Sequence, residues 1–158
     1  MAKEIERKFL VVGDEWRGLS RGTKFCQGYL ASNPNCIVRV RSEGEKGILT
    51  IKCDFKGISN DEYEYEIPIC DCQAMLETLP SKNILEKLRY KVPYKGFVWE
   101  IDEFFGDNEG LIVAEIELAS EDQEFPLPPW VGEEVSEDLR YTNFSLSKKP
   151  YAQWKKLR

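Results

Sequence analysis

Polar and hydrophobic residues alternate along much of the chain with the two-residue period of β-strands. The first such segment begins at Glu4, where Glu4, Glu6 and Lys8 fall on one face and Ile5 and Phe9 on the other. Taken alone, this pattern is more typical of a solvated strand face. The same arrangement returns in almost every later strand, and this recurrence makes the pattern informative.

The alternation and the intervening turn residues predict eight strands. We place them at residues 4–12, 24–31, 37–41, 48–53, 62–69, 85–92, 97–105 and 111–118. A short helix is predicted from an N-cap at Asp71 to Pro80. Residues 126–131 are predicted as loop and short helix, and residues 132–141 as an ordered turn into a helical C-terminal region. The basic tail, 148–158, is predicted to be solvated. We find no linker, so residues 1–158 are interpreted as one domain.

One face of the predicted sheet carries ionised side chains almost exclusively, sorted by strand into acidic and basic groups. An ordinary solvent face would contain more Ser, Thr, Asn and Gln. Short turns favour an antiparallel sheet, and closing it into a barrel would collect both charge sets in one lumen. The predicted fold is therefore a mostly-β α+β fold, an eight-stranded antiparallel closed barrel with short flanking helices. The acidic residues are Glu4, Glu6, Glu64, Glu66, Glu100, Asp102, Glu115 and Glu117; the basic ones are Lys8, Arg39, Arg41, Lys52, Lys87, Arg89 and Arg140.

Composition narrows the possible functions. The net charge of −6 gives no sign of nucleic-acid binding. No apolar run is long enough to span a bilayer or to serve as a signal-peptide core, so we expect a cytoplasmic protein without membrane association. The five cysteines, an odd number without a C-x-x-C pair, are interpreted as reduced thiols, mostly small core residues. Histidine is absent, which leaves Asp and Glu as ligands for a hard metal.

Basic groups that converge on one volume favour a polyanion, most naturally a chain of phosphates. Carboxylates in the same volume would repel that polyanion unless a cation stood between them. Mg²⁺ or Mn²⁺ meets this need because such ions bind carboxylate and phosphate oxygens together. The two rows of charge therefore predict a metal–polyphosphate site.

These motifs, in this order, resemble the CYTH superfamily, the triphosphate tunnel metalloenzymes, over nearly the whole chain. The resemblance implies a divalent-metal-dependent enzyme with a triphosphate-bearing substrate. It implies metal ligands at Glu4, Glu6, Glu115 and Glu117, and phosphate contacts from Lys8, Arg39, Arg41, Lys52, Lys87, Arg89 and Arg140. Two positions depart from the family pattern. Glu62 and Leu139 stand where an arginine and a lysine are common, so we expect a shorter or less tightly held phosphate chain.

Members of this family differ in their reaction. The short chain resembles compact bacterial members that hydrolyse inorganic tripolyphosphate, and we rank that reaction first, with water attacking a terminal phosphoryl group. A class IV adenylate cyclase, which converts ATP to cyclic AMP and pyrophosphate, is the alternative. A non-catalytic polyphosphate-binding module and a plain sheet with a charged outer face are further alternatives.

Lys87 is the predicted general base. Neighbouring cations such as Arg89 disfavour its charged form, which lowers its pKa. A simple phosphate contact by Lys87 remains an equal alternative. Tyr29 is predicted either to orient the attacking water or to belong to the core. Because the predicted helices are too short to cover the outer apolar face, a homodimer is also expected.

Overall fold

The computed structural model describes residues 3–155, and these form a single antiparallel sheet with short helices around it. The two α-helices are α1 (Ile69–Glu77) and α2 (Asn143–Lys148), and short 3₁₀ helices cover Ser81–Asn83, Gly106–Asn108, Leu139–Tyr141 and Tyr151–Gln153. Among the described residues no helix is both long and apolar enough to cross a membrane. The strands are β1 (Lys3–Val11), β2 (Gly22–Ser32), β3 (Cys36–Glu43), β4 (Lys46–Lys56), β5 (Ser59–Ile67), β6 (Leu85–Tyr94), β7 (Phe97–Phe104), β8 (Ile112–Glu117) and β9 (Val131–Glu134).

Eight of these strands form a closed ring, as the alternating pattern predicts. The neighbours follow the order β5, β4, β3, β2, β6, β7, β8, β1, and β1 pairs again with β5. The closing contact is short, with Lys3, Glu4 and Ile5 opposite Asp61, Asn60 and Ser59. All eight predicted strands are confirmed, with ends that differ by a few residues.

The ninth strand was not predicted from the sequence, which indicated only a turn there. β9 lies beside the second half of β1, where Phe9 pairs with Glu134 and Val11 with Val131. β1 therefore has β8 on one side and both β5 and β9 on the other. β9 has four residues, and so short a strand leaves too little alternation to recognise.

Two buried apolar clusters, one on the outer face of the ring and one on the inner face, form the core together with the connecting segments. One buried cluster is centred on Trp99, which contacts Phe9 and Trp130 edge to face. A second cluster contains Tyr141 and Trp154, whose rings are also in edge contact. The described part of the predicted solvated tail is mixed: Lys148, Lys149 and Lys155 are exposed, but Trp154 is only 2% exposed. Residues 156–158 of that prediction lie outside the described residues.

Helix α1 covers only part of the outer face of β3 and β4. It begins at Ile69, two residues before the predicted N-cap; Pro68 occupies the cap and Asp71 lies in the first turn. Close approach of this segment requires Gly28, because a Cβ there would collide with the Leu79 side chain.

The outer face of β5 carries two exposed aromatic side chains. Tyr63 and Tyr65 are 42% and 57% exposed. They lie opposite Ile51 and Leu49 of β4, on the side of the sheet away from the ring interior. Trp99, which also faces away from the ring interior, is by contrast buried.

The cysteines also differ from the sequence prediction. Cys36 and Cys53 are directly opposed on β3 and β4, with Cα atoms 4.3 Å apart, and form a disulfide. Of the three free thiols only Cys72 is buried, while Cys26 is half-buried and Cys70 exposed. The prediction that the five cysteines are all reduced and mostly in the core is therefore wrong. The pairing depends on strand register, which a cysteine count does not reveal.

Candidate active site

The register of the ring turns the charged positions of neighbouring strands toward one another. Residues directly opposite in an antiparallel pair lie on the same face. Glu6 is opposite Glu117, Lys8 opposite Glu115, and Arg89 opposite Asp102. The acidic and basic rows therefore share the inner face of the ring.

Two arginines of β3 lie side by side on this face, and both are buried. Arg39 donates to Thr50 Oγ1 at 3.2 Å and lies 3.4 Å from Glu64. Arg41 donates through Nε to Glu43 at 2.8 Å and approaches Glu64 at 3.5 Å. Burial lowers the pKa of Arg41, and Arg39 and Arg89 lower it further. So close a group of cations is costly without an anion, which fits a phosphate-binding role.

Asp102 lies at the centre of the basic group and is fully buried. Its two oxygens accept from Arg89 Nε and Nη2, each at 2.8 Å, a bidentate pair. Oδ2 also accepts from Lys87 Nζ at 2.8 Å. Although burial alone would act in the opposite direction, the attraction of Asp102 raises the pKa of Arg89 well above its ordinary value. Asp102 is thus held ionised mainly by Arg89.

Because Asp102 pairs mainly with Arg89, the positive charge of Lys87 is only partly compensated. Lys87 is 1% exposed, and burial lowers the pKa of its amine to about 7, against the attraction of Asp102. Arg89 and Arg41 contribute to the decrease. An amine with a pKa near neutrality can exchange a proton at physiological pH, as general bases require.

Lys52, on β4, lies between Glu4 of β1 and Glu62 of β5, where these two strands close the ring. Its Nζ donates to Glu4 at 3.1 Å and lies 3.4 Å from Glu62. Burial would lower the pKa of Lys52, but Glu6, Glu4 and Glu62 outweigh this effect and raise it. Lys52 therefore remains charged beside the acidic row. Glu62, which stands where the family commonly has an arginine, neutralises part of this charge.

The remaining acidic groups crowd one another on β1 and β8. Burial raises the pKa of Glu6 well above its ordinary value, and Glu115, with which it shares a hydrogen bond, raises it further. The pKa of Glu115 falls well below its ordinary value despite burial, because Lys8, Glu6 and Arg89 favour its charged form. Burial and mutual repulsion thus make two negative charges on this carboxyl pair unfavourable. Partial burial and the charges of Glu4 and Glu100 raise the pKa of Glu117.

A crowded set of carboxylates is the kind of donor set that a hard cation favours. Within residues 3–155, no three Asp, Glu or Cys side chains are close enough to form a complete metal site. Mg²⁺ commonly uses only one or two carboxylates and takes its other ligands from water and phosphate. The hydrogen-bonded Glu6–Glu115 pair fits such a requirement.

Several predicted site residues have different surroundings. Arg140 is 47% exposed at its side chain and pairs with Asp138 at 2.7 Å, with its guanidinium over the Trp154 ring. It is not bonded to the other predicted phosphate contacts in the described chain. Glu66 shares the inner face through its register with Ile48 but is exposed. Tyr29, opposite Arg39, faces inward and packs its ring on Phe144.

Three inward-facing residues went unrecognised in the sequence. Phe25 lies among the cations, with the Arg41 and Arg89 guanidiniums 4.8 and 4.9 Å from its ring centre. Asn143 Oδ1 accepts hydrogen bonds from Lys87 Nζ and from Gln27 Nε2. The period-two spacing of Phe25, Gln27 and Tyr29 on β2 could have indicated the first two. No local pattern marks Asn143.

Comparison with known proteins places this site in a family. The chain is 50% identical over 155 residues, 98% of its length and 99% of the relative's, to a protein of Acetivibrio thermocellus named inorganic triphosphatase. It is 38% identical to an inorganic triphosphatase of Nitrosomonas europaea, over 91% of this chain and 96% of that protein. A crystal structure of the inorganic triphosphatase NE1496 superposes with a TM-score of 0.68 at 35% identity, covering 93% of this chain and 95% of that one.

The family model described as the CYTH domain matches residues 2–151, nearly the entire chain. The resemblance in the charged motifs, the closed ring and these relatives agree. The protein belongs to the CYTH family.

Proposed function

We propose that this protein hydrolyses inorganic triphosphate with the help of a divalent cation. The observation that carries the proposal is the inner face of the ring, where buried arginines and lysines lie beside a crowded row of carboxylates. Relatives of 50% and 38% identity that are named inorganic triphosphatases support the same substrate.

The basic residues of the inner face would bind the phosphate chain. Arg39, Arg41 and Arg89 are held by carboxylates or hydroxyls, so their guanidiniums are preorganised for an anion. Lys8 and Lys52 add charge near the acidic row. We retain Arg140 as a proposed phosphate contact, which would require its side chain to leave Asp138.

The carboxylates of Glu4, Glu6, Glu115 and Glu117 would hold the cation, either Mg²⁺ or Mn²⁺. A bound cation supplies positive charge that offsets negative charge developing on the phosphoryl oxygens. The protein's own contribution is to fix these carboxylates on adjacent strands and to keep Glu115 ionised through Lys8 and Arg89.

The phosphate–oxygen bond would break by attack of water on a terminal phosphoryl group. Lys87 would accept the proton of that water, since its neutral form is accessible near pH 7. Tyr29 faces inward and would orient the water through its hydroxyl. The released product is orthophosphate, with pyrophosphate as the leaving group.

A direct assay tests this proposal against its alternatives. Purified protein is supplied with tripolyphosphate, pyrophosphate, ATP and thiamine triphosphate, each with Mg²⁺ or Mn²⁺, while phosphate and cyclic AMP are measured separately. We expect release of phosphate from tripolyphosphate. Cyclic AMP from ATP would instead indicate a class IV adenylate cyclase, and tight tripolyphosphate binding without turnover would indicate a binding module.

Changing either arginine of β3 should weaken the hold on the substrate. Arg39→Ala and Arg41→Ala should each lose about 2–4 kcal/mol of transition-state stabilisation, as charge-assisted contacts in water-poor sites do. Removing a buried cation from a like-charged group should leave the fold intact. Steady-state kinetics and tripolyphosphate calorimetry measure the loss. Parental affinity in both variants would show that these side chains do not contact phosphate.

We also propose that two copies associate through the outer face of β5. Helix α1 leaves this face uncovered, and two exposed tyrosines lie on it beside apolar residues of β4. Sedimentation equilibrium should report a homodimer, and Tyr65→Lys should shift it to monomer without loss of activity. A parental protein that is monomeric at all concentrations would contradict this proposal.

We propose no nucleic-acid or membrane partner, in keeping with the net charge of −6. A cytoplasmic location stays a prediction. The Cys36–Cys53 disulfide counts against it, because cytosolic proteins are usually kept reduced. Quantifying free thiols in protein alkylated directly in cell extract decides between a bridged and a reduced pair.

A further inference from the structure

Lys87 has a second hydrogen-bond acceptor that lies outside the charged rows. Asn143 Oδ1, at the start of α2, accepts from Lys87 Nζ at 2.9 Å. The same oxygen accepts from Gln27 Nε2 at 3.2 Å. Gln27 is completely buried, and its own oxygen, Oε1, has no hydrogen-bond partner.

These contacts define the orientation of the Asn143 amide. A carbonyl oxygen has two lone pairs, and here one faces Gln27 and the other Lys87. Turning the amide over would place an NH₂ group against two donors, which is unfavourable. An unpaired buried oxygen on Gln27 is also costly. That cost is understandable if the Gln27 amide serves to hold Asn143.

The same geometry constrains the amine of Lys87. A neutral amine has two hydrogens and one lone pair. Asp102 Oδ2 and Asn143 Oδ1 can accept both hydrogens, at 2.8 and 2.9 Å. The lone pair is then confined to the one remaining position on the nitrogen.

We propose that Asn143, held by Gln27, is a positioning residue that aims the lone pair of Lys87 at the attacking water. This inference rests on the proposed triphosphatase function and on Lys87 as its base. Asn143 does not touch the substrate in this account; it acts through Lys87. The C-terminal segment thereby becomes part of the active site.

Asn143 could alternatively serve only to attach the C-terminal segment to the ring. Other contacts already do this. Asn83 Nδ2 donates to Ser147 O at 2.7 Å, and Asn108 Oδ1 accepts from Tyr151 N at 2.8 Å. Asn83→Ala removes such an attachment without touching Lys87, and it is therefore the matched control.

Substitution by aspartate provides a test that a purely structural role would not pass. The charged groups that act on Lys87 are Arg89 on its own strand, Asp102 on β7, Glu115 on β8 and Arg41 on β3. Among residues 3–155, the contacts to Lys87 from β2 and α2 come from Phe25 and Asn143, which are uncharged. Asn143→Asp adds a negative charge from the one side that has none. An adjacent carboxylate favours the protonated amine, so the pKa of Lys87 should rise.

The first measurement is the NMR titration of Lys87 in the full-length, metal-free protein. We expect Asn143→Asp to move the Lys87 midpoint upward by about one pH unit or more. Asn83→Ala should leave it unchanged. An unchanged midpoint in Asn143→Asp would overturn the inference. This readout does not depend on activity.

The second measurement is steady-state hydrolysis of tripolyphosphate. Asn143→Ala should lower kcat about 10- to 100-fold with little change in KM, because misplacement of a reacting group by an ångström has such an effect. Gln27→Ala should act in the same direction, and Asn83→Ala should keep parental kcat. Equal losses in Asn143→Ala and Asn83→Ala would reduce Asn143 to an attachment. Absence of hydrolysis by the parental protein would refute the proposed function, while the titration would still test the positioning.

Discussion

Glu6→Gln and Glu117→Gln should each lower triphosphate turnover by orders of magnitude and raise the concentration of Mg²⁺ or Mn²⁺ required. Each change keeps the size of the side chain and removes one negative charge from the proposed metal site. The metal contributes several kcal/mol of charge stabilisation in such reactions, so a weakened site has a large effect. Initial rates measured across a metal titration give both quantities.

The fold should tolerate the change at Glu6. Burial and the charge of Glu115 raise the pKa of Glu6, and glutamine removes this unfavourable buried charge. The metal-free variant should therefore unfold at or above the parental temperature. Glu45→Gln, in the exposed turn between β3 and β4, is the matched control and should retain parental turnover. Full parental activity in EDTA would refute metal dependence.

Lys87→Arg should abolish most turnover, by about 10²- to 10⁴-fold, and leave substrate binding largely intact. Arginine keeps the positive charge that phosphate requires but cannot lose its proton near neutral pH. The parental enzyme should show the corresponding pH dependence. Since the base acts in its neutral form, kcat/KM should rise with pH through about 7 and level off above it. A pH-rate series on both proteins measures these effects.

The comparison that isolates the role of Lys87 is between rate and affinity. Arg41→Ala, the control, removes a cation without removing the base, and should weaken binding as well as turnover. Near-parental turnover in Lys87→Arg would mean that Lys87 is a phosphate contact only. The same assays record cyclic AMP, and its appearance as the main product would overturn the hydrolase proposal.

Features that repeat along the chain could be predicted from the sequence. Glu4 with Glu6, Arg39 with Arg41, and Lys87 with Arg89 each occupy alternate positions, so period two alone assigns them to a common face. The closed ring can then be predicted, because closure collects the acidic and basic side chains of this face in one interior. The lowered pKa of Lys87 could be anticipated only in part: Arg89, two positions along the same face, contributes to it, but burial is the largest cause.

Features set by distant parts of the chain could not be predicted in this way. The Cys36–Cys53 disulfide depends on the register of β3 and β4, and β9 forms by pairing with one edge of β1. Asn143 reaches Lys87 across 56 positions of sequence. Trp154 makes the tail a packed element, although the surrounding lysines suggest a solvated one. In each case the decisive contact is tertiary, and local composition is a poor guide.

β1 pairs with three strands, β8, β5 and β9, and this constrains the order in which the sheet can form. β2, β3, β4 and β5 are joined by short turns and can pair soon after synthesis, but Lys3 must wait for Asp61, Glu6 for Glu117 and Phe9 for Glu134. On the ribosome, the first strand made therefore remains without all its partners until residues 131–134 have emerged. Each of these contacts closes a long loop, which is entropically costly and slow. Glu4 and Glu6 thus meet Glu115 and Glu117 only after β8 has emerged, and a chain that ends before β8 cannot assemble the carboxylates that the cation requires.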